Sequence, residues 1–481
     1  MKESAKLGLW GLVAIVFGSV IGGSIFNIAQ NMARNAALGP VIAAWLITAI
    51  GVFFLVLTFK KLADACPDMK AGIYQYALVG FGRYAGFNMA WGYWLCVVMG
   101  NVTYAVMLND SAGAFFPVLM NHSWPTVLFA SVLIWLMYLL VSQGVRSAAF
   151  VNNILALVKF TCLALIVVVL VISVRIGLFT ADFWGKATLA APSSVAGQFS
   201  SCMLVTIWSF VGIEGAVMMS ARAKRHKDVG RATVAGFLLA LVLYLLVTVL
   251  CFGVMTRPEM AELPNPSLAY VLDSCAGAWA KWFVIASVIV SLTGGFVAWT
   301  LVSAQVPYEA AQVGILPRQF LHLNSKGMPS YGMLVASIAM TVCVVLVVTA
   351  ENVYIAALNL TAMMVLPPYL FCALYLWKLS GKTGRPRQLK GSVAENRIVA
   401  AMAAVFCVYI MWAGGLGLMM VTSLFYLAGI GFFALSRRQQ GYPGTAGKIF
   451  TRGEVIVFVM IAVLSVVSVI LLATGNIRLD A

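Results

Sequence analysis

The chain has 481 residues, of which 62% are hydrophobic and only 10% are charged. This composition is typical of a membrane protein with many spanning helices, and it excludes a soluble domain of useful size. The formal net charge of +16 would suggest nucleic acid binding in a soluble chain, but here it follows from basic residues gathered in loops, so no nucleic acid partner is predicted.

Thirteen apolar runs are long enough to cross a bilayer as helices. They occupy residues 7–29, 39–59, 84–108, 125–143, 152–176, 198–220, 230–255, 279–312, 330–349, 353–377, 398–415, 417–436 and 454–474. The sequence therefore predicts an all-α polytopic membrane protein with about 13 transmembrane helices.

Basic residues distinguish the two sides of this arrangement. If the N-terminus lies in the cytoplasm, the inner segments carry most of the lysines and arginines, and the outer segments carry few. The positive-inside rule thus predicts a cytoplasmic N-terminus. With an odd number of spans, the C-terminus is expected outside.

The first span is interrupted at its centre by the small residues Gly18, Ser19, Gly22, Gly23 and Ser24. Glycine costs about 1 kcal/mol relative to alanine inside a helix, and unpaired backbone at membrane depth is tolerated only where it is buried in protein or lines a cavity. This run predicts a broken helix whose free N–H groups hold an anionic substrate group. The alternative is that the small residues only allow a neighbouring helix to approach closely.

The sixth span is irregular in the same way, with two glycines, a serine and an acid near the centre of Thr206–Ala216. Two interrupted spans, five spans apart, predict an inverted-repeat (5+5) transporter with helices 1 and 6 broken. The repeats would be residues 1–180 and 195–380, with residues 395–481 as peripheral helices.

Two charged residues fall within apolar spans. A carboxylate at the depth of Glu214 is expensive and is therefore a functional candidate, although a hydrogen-bonded packing role is the alternative. Lys159 could extend to the inner face, or point inward and supply a cation near the broken first helix. The sequence leaves both orientations open.

Three aromatic positions lie beside polar or small residues in the spans: Trp208 in span six, Trp299 in span eight, and Tyr93 with Trp94 in span three. An aromatic face beside a cavity can bind a guanidinium or ammonium group for about 1 to 2 kcal/mol. Each position taken alone is more typical of packing.

Neither metal nor cofactor chemistry is predicted. The nine cysteines form no C-x-x-C pair, and the three histidines fall in predicted loops, so no disulfide framework, metal site or cofactor is expected. No segment combines paired carboxylates, a nucleophile elbow or metal ligands, which argues against an enzyme. A channel is disfavoured because nothing forms a repeated selectivity ring.

Several local runs resemble those of a known family across essentially the whole chain. They are Gly18 to Phe26 followed by Gln30-Asn31-Met32-Ala33, then Ala90-Trp91-Gly92-Tyr93-Trp94, Gly100-Asn101, Gly212-Ile213-Glu214-Gly215-Ala216, Ser220-Ala221-Arg222-Ala223, Asp228-Val229-Gly230 and Asn265-Pro266-Ser267. The sequence resembles the amino acid, polyamine and organocation transporters. Within them it is most similar to the basic amino acid antiporters, in particular those that exchange arginine for ornithine.

The resemblance implies a substrate site. The backbone N–H groups of Gly22, Gly23 and Ser24 would hold the substrate carboxylate, and carbonyls around Trp208 and Val211 would hold its α-ammonium. Trp208 would stack on the substrate side chain. The residues expected at or near the distal end of that side chain are Trp299, Thr361, Asn101 and Cys96.

The resemblance also implies gating and coupling roles. Tyr93 would belong to an outer gate, Glu214 would be linked to gating, and Tyr74 and Tyr369 would shape an inner gate. Lys159 would stand where sodium-coupled relatives bind sodium. Two runs depart from the relatives: Gly22-Gly23-Ser24 replaces Gly-Ser-Gly, and Ile28-Ala29 replaces Leu-Pro.

The function expected from these features is exchange of cationic amino acids, arginine for ornithine, by alternating access across a bacterial inner membrane. Two other transport modes stay open. One is proton-coupled uptake through Lys159. The other is exchange of an amino acid for its decarboxylation product: arginine for agmatine, lysine for cadaverine or histidine for histamine. The expected partners are cationic amino acids and the lipid bilayer, and the sequence leaves open a homodimer with a second copy of the chain.

Overall fold

The computed structural model describes residues 8–69, 72–187, 194–215, 224–348, 352–381, 386, 388–442 and 447–477. Within these residues the chain is helical, apart from turns and one isolated bridge between Leu323 and Pro329. The helices are α1 (Leu9–Val20), α2 (Ser24–Ala33), α3 (Leu38–Ala65), α4 (Ile73–Phe81), α5 (Arg83–Gly113), α6 (Trp124–Ser142), α7 (Val145–Ser173), α8 (Ile176–Ala181), α9 (Val195–Ser201), α10 (Met203–Trp208), α11 (His226–Phe252), α12 (Arg257–Ala261), α13 (Ser267–Ala276), α14 (Ala278–Gln312), α15 (Ser330–Val347), α16 (Val353–Ser380), α17 (Val393–Ala413), α18 (Leu416–Ala428), α19 (Ile430–Gln439) and α20 (Arg452–Ala473).

These helices confirm the predicted all-α polytopic class. By length and hydropathy, ten described helices could cross a membrane, or eleven when α1 and α2 are counted as one span. The predicted number was about thirteen. The difference lies in the fifth and sixth spans, where the apolar helices Val158–Ser173 and Val195–Trp208 are shorter. Part of the sixth run, residues 216–220, lies outside the described residues, as does the Ser220–Ala223 run.

The described helices form two compact units. Unit 1 comprises Met1–Val56, Tyr104–Ala130 and Ala148–Ala298, and unit 2 comprises Leu57–Thr103, Ser131–Ser147 and Trp299–Ala481. These units are defined by spatial contact, whereas the repeats at 1–180 and 195–380 are defined by sequence position. The division into repeats therefore stays a prediction.

In unit 1, α1 packs closely against α11 because Gly236 carries no side chain. A Cβ atom at Gly236 would lie 2.6 Å from the side chain of Val16. Further along α11, the ring of Tyr244 stacks on Trp45 with 5.5 Å between centroids, and Phe210 packs edge-on against Trp45. This aromatic cluster fixes α11 beside the break in the sixth span.

In unit 2, one carboxylate joins the beginnings of α5 and α20. The carboxylate of Glu454 accepts hydrogen bonds from the backbone N–H groups of Thr451 at 2.8 Å and Tyr84 at 3.3 Å. Both of its oxygens also accept from a single guanidinium nitrogen of Arg437, Nη2, at 2.6 and 2.8 Å. Charge-assisted hydrogen bonds are stronger than neutral ones, so Glu454 anchors the last helix to the rest of unit 2.

A polar cluster in unit 1 surrounds Asp110, near the end of α5. One carboxylate oxygen of Asp110 lies 2.8 Å from His122 Nε2, and the other accepts a 2.8 Å hydrogen bond from the Asn265 side chain. Two residues further, the Ser267 N–H donates to the Asn27 side chain at 3.2 Å. The cluster therefore connects α5 to the segment that holds α2.

The hydrogen bond to Asp110 raises the pKa of His122, because it favours the imidazolium form, although partial burial opposes the shift. Since the folded pKa exceeds the unfolded value of about 6.5, the pair stabilises the protein fully below that value. This stabilisation is lost as the pH rises through the folded pKa.

We expect His122→Asn, which tolerates the left-handed backbone at this position (φ 43°), to lower the melting temperature in detergent more at pH 5.5 than at pH 8.5. The lost stabilisation is about 1 kcal/mol or less, because the imidazole is partly exposed. His322→Asn is the matched control, since that ring pairs with Ser330 and not with a carboxylate. An equal loss at both pH values would contradict the expectation.

Candidate substrate site

The first span is broken where the sequence predicted it. Helix α1 ends at Val20, α2 begins at Ser24, and the two axes are bent by 45°. In the connection, the N–H of Gly22 turns back to the carbonyl of Val20 at 2.8 Å. The Gly22 donor is thus already used, unlike the expectation that all three N–H groups of Gly22, Gly23 and Ser24 face a ligand.

The beginning of α2 presents backbone donors. The first N–H groups of a helix have no intrahelical acceptor, and no side chain caps α2 at Gly23. Ser24 and Ile25 are buried. The positive end of the helix dipole adds to the attraction for an anion, so this end of α2 is suited to a carboxylate.

The carbonyl side of the break is satisfied by the protein itself. The buried ammonium of Lys159 donates to the carbonyl of Gly18 at 3.0 Å and to that of Ile21 at 2.6 Å. Of the two orientations that the sequence left open, the structure has the inward one. The cation lies at the C-terminal end of α1, where the helix dipole is negative.

Tyr244 of α11 bridges the two half-helices and was not identified from the sequence. Its hydroxyl donates to the carbonyl of Val20 at 3.0 Å and forms a short hydrogen bond with the Ser24 hydroxyl. In the sequence, Tyr244 is only a hydroxyl-bearing residue within an apolar span, and such residues are too common to indicate a role. Its position depends on how α11 packs against α1.

Tyr104 of α5 is the second residue that the sequence analysis missed. A Cβ atom added to Gly22 would collide with its hydroxyl, and one added to Gly23 would lie 2.7 Å from Leu292 and 2.9 Å from the Met107 sulfur. The two glycines are therefore required by close packing as well as by the break. Both readings of the small residues, an open helix and a close neighbour, hold in this structure.

The sixth span is also broken. Helix α10 ends at Trp208, and residues 209–214 form successive turns in which Gly212 has φ 102°. The hydroxyl of Ser19 donates to the carbonyl of Gly212 at 2.9 Å. This bond connects the two irregular segments within unit 1, as expected if both border one site.

The candidate residues of the sixth span are buried in unit 1. Trp208 and Val211 are 8% and 9% exposed, and Glu214 is fully buried. The carbonyl of Trp208 accepts from the N–H of Val211 at 3.1 Å, whereas no described residue donates to the carbonyl of Val211. The carbonyl of Val211 is therefore one candidate acceptor for a ligand ammonium.

The other candidate binding residues lie in unit 2. Thr361 packs against Gly100, where an added Cβ would lie 3.6 Å from its methyl group, and Asn101 is fully buried. The Asn101 amide donates to the Val97 carbonyl at 3.0 Å, while its oxygen has no partner among the described residues. Cys96 and Tyr93 are buried nearby on α5, and Trp299 is half-buried on α14.

The two expected inner-gate tyrosines also lie in unit 2. The hydroxyl of Tyr74 contacts the carbonyl of Val306 at 3.3 Å and the carboxylate of Glu309 at 3.4 Å. The ring of Tyr369 packs edge-on against Phe59. Both rings are buried, and their roles in gating stay predictions.

The chemistry available at the break is that of ligand binding. The described residues include backbone donors at α2, the carbonyl of Val211 with no donor among them, the indole of Trp208 and the buried carboxylate of Glu214. In the described part of the chain, no group of three or more His, Cys, Asp or Glu side chains could hold a metal ion.

We expect Gly22→Ala to lower the melting temperature by an amount equivalent to about 1 to 3 kcal/mol, because its methyl group overlaps the Tyr104 hydroxyl. The double variant Gly22→Ala/Tyr104→Phe should regain part of this loss, since the next ring atom lies 3.5 Å away. Gly18→Ala is the control, because nothing lies within 4 Å of its Cβ. A melting temperature of the double variant no higher than that of Gly22→Ala would contradict the expected clash with the Tyr104 hydroxyl.

Comparison with known proteins identifies the family of this chain. Residues 7–435 match the family described as amino acid permease. The chain is 37% identical over 485 residues to the arginine/agmatine antiporter of Chlamydia pneumoniae, with 99% of both chains covered. It is 35% identical over 481 residues to the arginine/agmatine antiporter of Chlamydia trachomatis serovar D, again with 99% of both covered. A putative amino-acid transporter of Clostridium perfringens is 35% identical over 480 residues, covering 98% of this chain and 99% of the other. These matches span the broken helices and the whole set of candidate residues, so the chain belongs to the amino acid permease family, within the amino acid, polyamine and organocation superfamily.

Proposed function

We propose that this protein is an antiporter of cationic amino acids that exchanges arginine for its decarboxylation product agmatine by alternating access. The observation that carries the proposal of an amino acid substrate is the broken first span, with donors open at α2 and carbonyls occupied by Lys159 and Tyr244. The full-length relatives named arginine/agmatine antiporters support the substrate pair. The basic inner segments support a bacterial inner membrane location, with the N-terminus inside.

In this proposal each end of arginine meets a different part of unit 1. The α-carboxylate lies at the N–H groups of Ser24 and Ile25, and the α-ammonium lies at the carbonyl of Val211. The guanidinium stacks on the indole of Trp208, an arrangement that stabilises a desolvated cation. Trp299, Thr361, Asn101 and Cys96 stay predicted for the far end of the side chain.

Alternating access requires two halves that can rearrange around the site. The breaks at Gly22 and Gly212 occupy corresponding places in residues 1–180 and 195–380, which favours the inverted-repeat division. Glu214 and the tyrosines Tyr93, Tyr74 and Tyr369 are the proposed gating residues. A homodimer is compatible with this scheme and is not required by it.

Ornithine is the second candidate exchange partner, and the uncapped end of α2 favours it. Ornithine keeps the α-carboxylate that this end is suited to bind, whereas agmatine lacks it and leaves the donors of Ser24 and Ile25 without an anion. The two pairs differ in charge movement. Exchange for ornithine is electroneutral, while agmatine carries a second positive charge outward.

Counterflow in proteoliposomes distinguishes the two pairs. We expect radiolabelled arginine uptake to be stimulated by internal agmatine and slowed by an interior-negative potential set with potassium and valinomycin, since about 2.3 kcal/mol opposes each charge per 100 mV. Internal ornithine serves as the electroneutral comparison, and internal glycine as the control. Uptake that is indifferent to every internal amine would overturn antiport altogether.

Lys159 tests whether uptake is instead coupled to protons. For an antiporter, we expect empty vesicles to accumulate no arginine under an inside-alkaline pH gradient. We also expect Lys159→Met to weaken arginine binding, because the carbonyls of Gly18 and Ile21 lose their donor. Lys186→Met, which alters an exposed lysine, is the control. Gradient-driven uptake that Lys159→Met abolishes would favour proton-coupled uptake.

A further inference from the structure

Unit 2 contains a cavity that none of the proposed transport residues lines. Its volume is about 750 Å³, within the range of 300 to 1,000 Å³ that small-ligand sites occupy. Its walls come from α5, α16, α17, α18 and α20 and are mostly apolar. Four methionines contribute to them: Met89, Met363, Met411 and Met419.

The charged lining of this cavity is concentrated at one end, which we call its polar end. Arg83 and Tyr84 at the beginning of α5, and Thr451 and Glu454 at the beginning of α20, mark that end. Along α20 the lining continues through Val457 and Ile461 to Leu464. Ten residues of helix from Glu454 to Leu464 extend about 15 Å, which is half of the roughly 30 Å hydrocarbon core.

The polar end carries an unbalanced positive charge. Glu454 is occupied by its ion pair with Arg437. The guanidinium of Arg83 donates to the carbonyl of Gly314 at 3.3 Å and to the Gln440 side chain. Arg83 forms no ion pair with any described residue. Exposed Arg438 and Arg452 add further positive charge.

One wall of the cavity faces the hydrocarbon region. In the most apolar stretch of α20, only 11% of the residues are buried. The outward residues of this helix include Val459 and Val463, which are 47% and 55% exposed. The cavity-lining residues Val457 and Leu464 of α20 are themselves 41% and 42% exposed, so the cavity is open on this side to a molecule from the bilayer. Apolar walls, a basic end and a depth of one leaflet fit one class of ligand.

We propose that this cavity holds an acyl chain of an anionic phospholipid, with the lipid phosphate against Arg83. Basic pockets between membrane helices bind acidic lipid headgroups, and the methionines adapt to the flexible chain. None of the residues proposed for arginine lines this cavity, so it is a structural lipid site of unit 2. It does not depend on the exchange reaction.

The test measures lipid retained by the purified full-length chain. The protein is taken from vesicles of equal phosphatidylglycerol and phosphatidylcholine, passed through detergent gel filtration, and its bound lipids are quantified. We expect one phosphatidylglycerol per chain. Met419→Trp and Ile461→Trp should displace it by filling the cavity, and Arg83→Gln should weaken retention about fivefold, the effect of one basic residue.

The controls lie outside the cavity on the same elements or face. Val459→Trp adds the same indole to an exposed position of α20, and Arg397→Gln removes an arginine that stacks on Trp377 instead. Both should retain the lipid, and melting curves confirm that each variant is folded. Unchanged retention in folded Met419→Trp and Ile461→Trp, equal retention of both lipids, or no bound lipid in the unmodified protein would each overturn the proposal. So would tryptophan variants that convert a dimer to a monomer while keeping the lipid.

Discussion

The rest of unit 1 depends on how the backbone is hydrogen-bonded at the break in the first span, where the carbonyl side and the N–H side differ. Breaking a helix in a membrane exposes carbonyls on one side and N–H groups on the other, and neither can be left unpaired in hydrocarbon. Here the carbonyls of Gly18, Val20 and Ile21 are bound by Lys159 and Tyr244. No side chain caps the N–H end at Gly23. The protein thus completes its own acceptor side and leaves a donor side with an affinity for anions.

This arrangement explains which features the sequence could predict. The break was predictable because Gly22, Gly23 and Ser24 follow one another in an apolar run, and glycine destabilises the interior of a helix. The orientation of Lys159 was not predictable, because two turns from a helix end a lysine can reach either the interface or the interior. Only the position of the Gly18 and Ile21 carbonyls selects the inward direction.

Tyr104 and Tyr244 escaped sequence analysis for a different reason. Their roles arise from tertiary packing, since each approaches Gly22 or Ser24 from a helix distant in sequence. The sequence around a tyrosine in a long apolar span does not indicate such a contact. The number of spans was harder to predict than their positions, because interruptions shorten the continuous helix that identifies a span, as at Trp208.

In unit 2, the last described helix is anchored at one end by a single carboxylate. The carboxylate of Glu454 satisfies the N-termini of both α5 and α20 and the guanidinium of Arg437. This anchor fixes only one end of α20, and the rest of the helix is largely exposed. A helix held at its end and loosely packed along its length leaves the gap that the proposed lipid chain fills.

The proposed exchange partners differ from arginine at different places. Arginine and agmatine differ only in the carboxylate, and therefore only at the end proposed to meet α2. Arginine and ornithine share that end and differ in the side chain, and therefore at the proposed Trp208 contact. In the proposed site, agmatine would thus be distinguished by the donors of Ser24 and Ile25, and ornithine by the indole of Trp208. In the proposed exchange, agmatine has no carboxylate for the N–H groups of Ser24 and Ile25, so water would have to satisfy these donors on the return step. The lost carboxylate contact would make agmatine the more weakly held ligand at this end and would favour its release once the site opens.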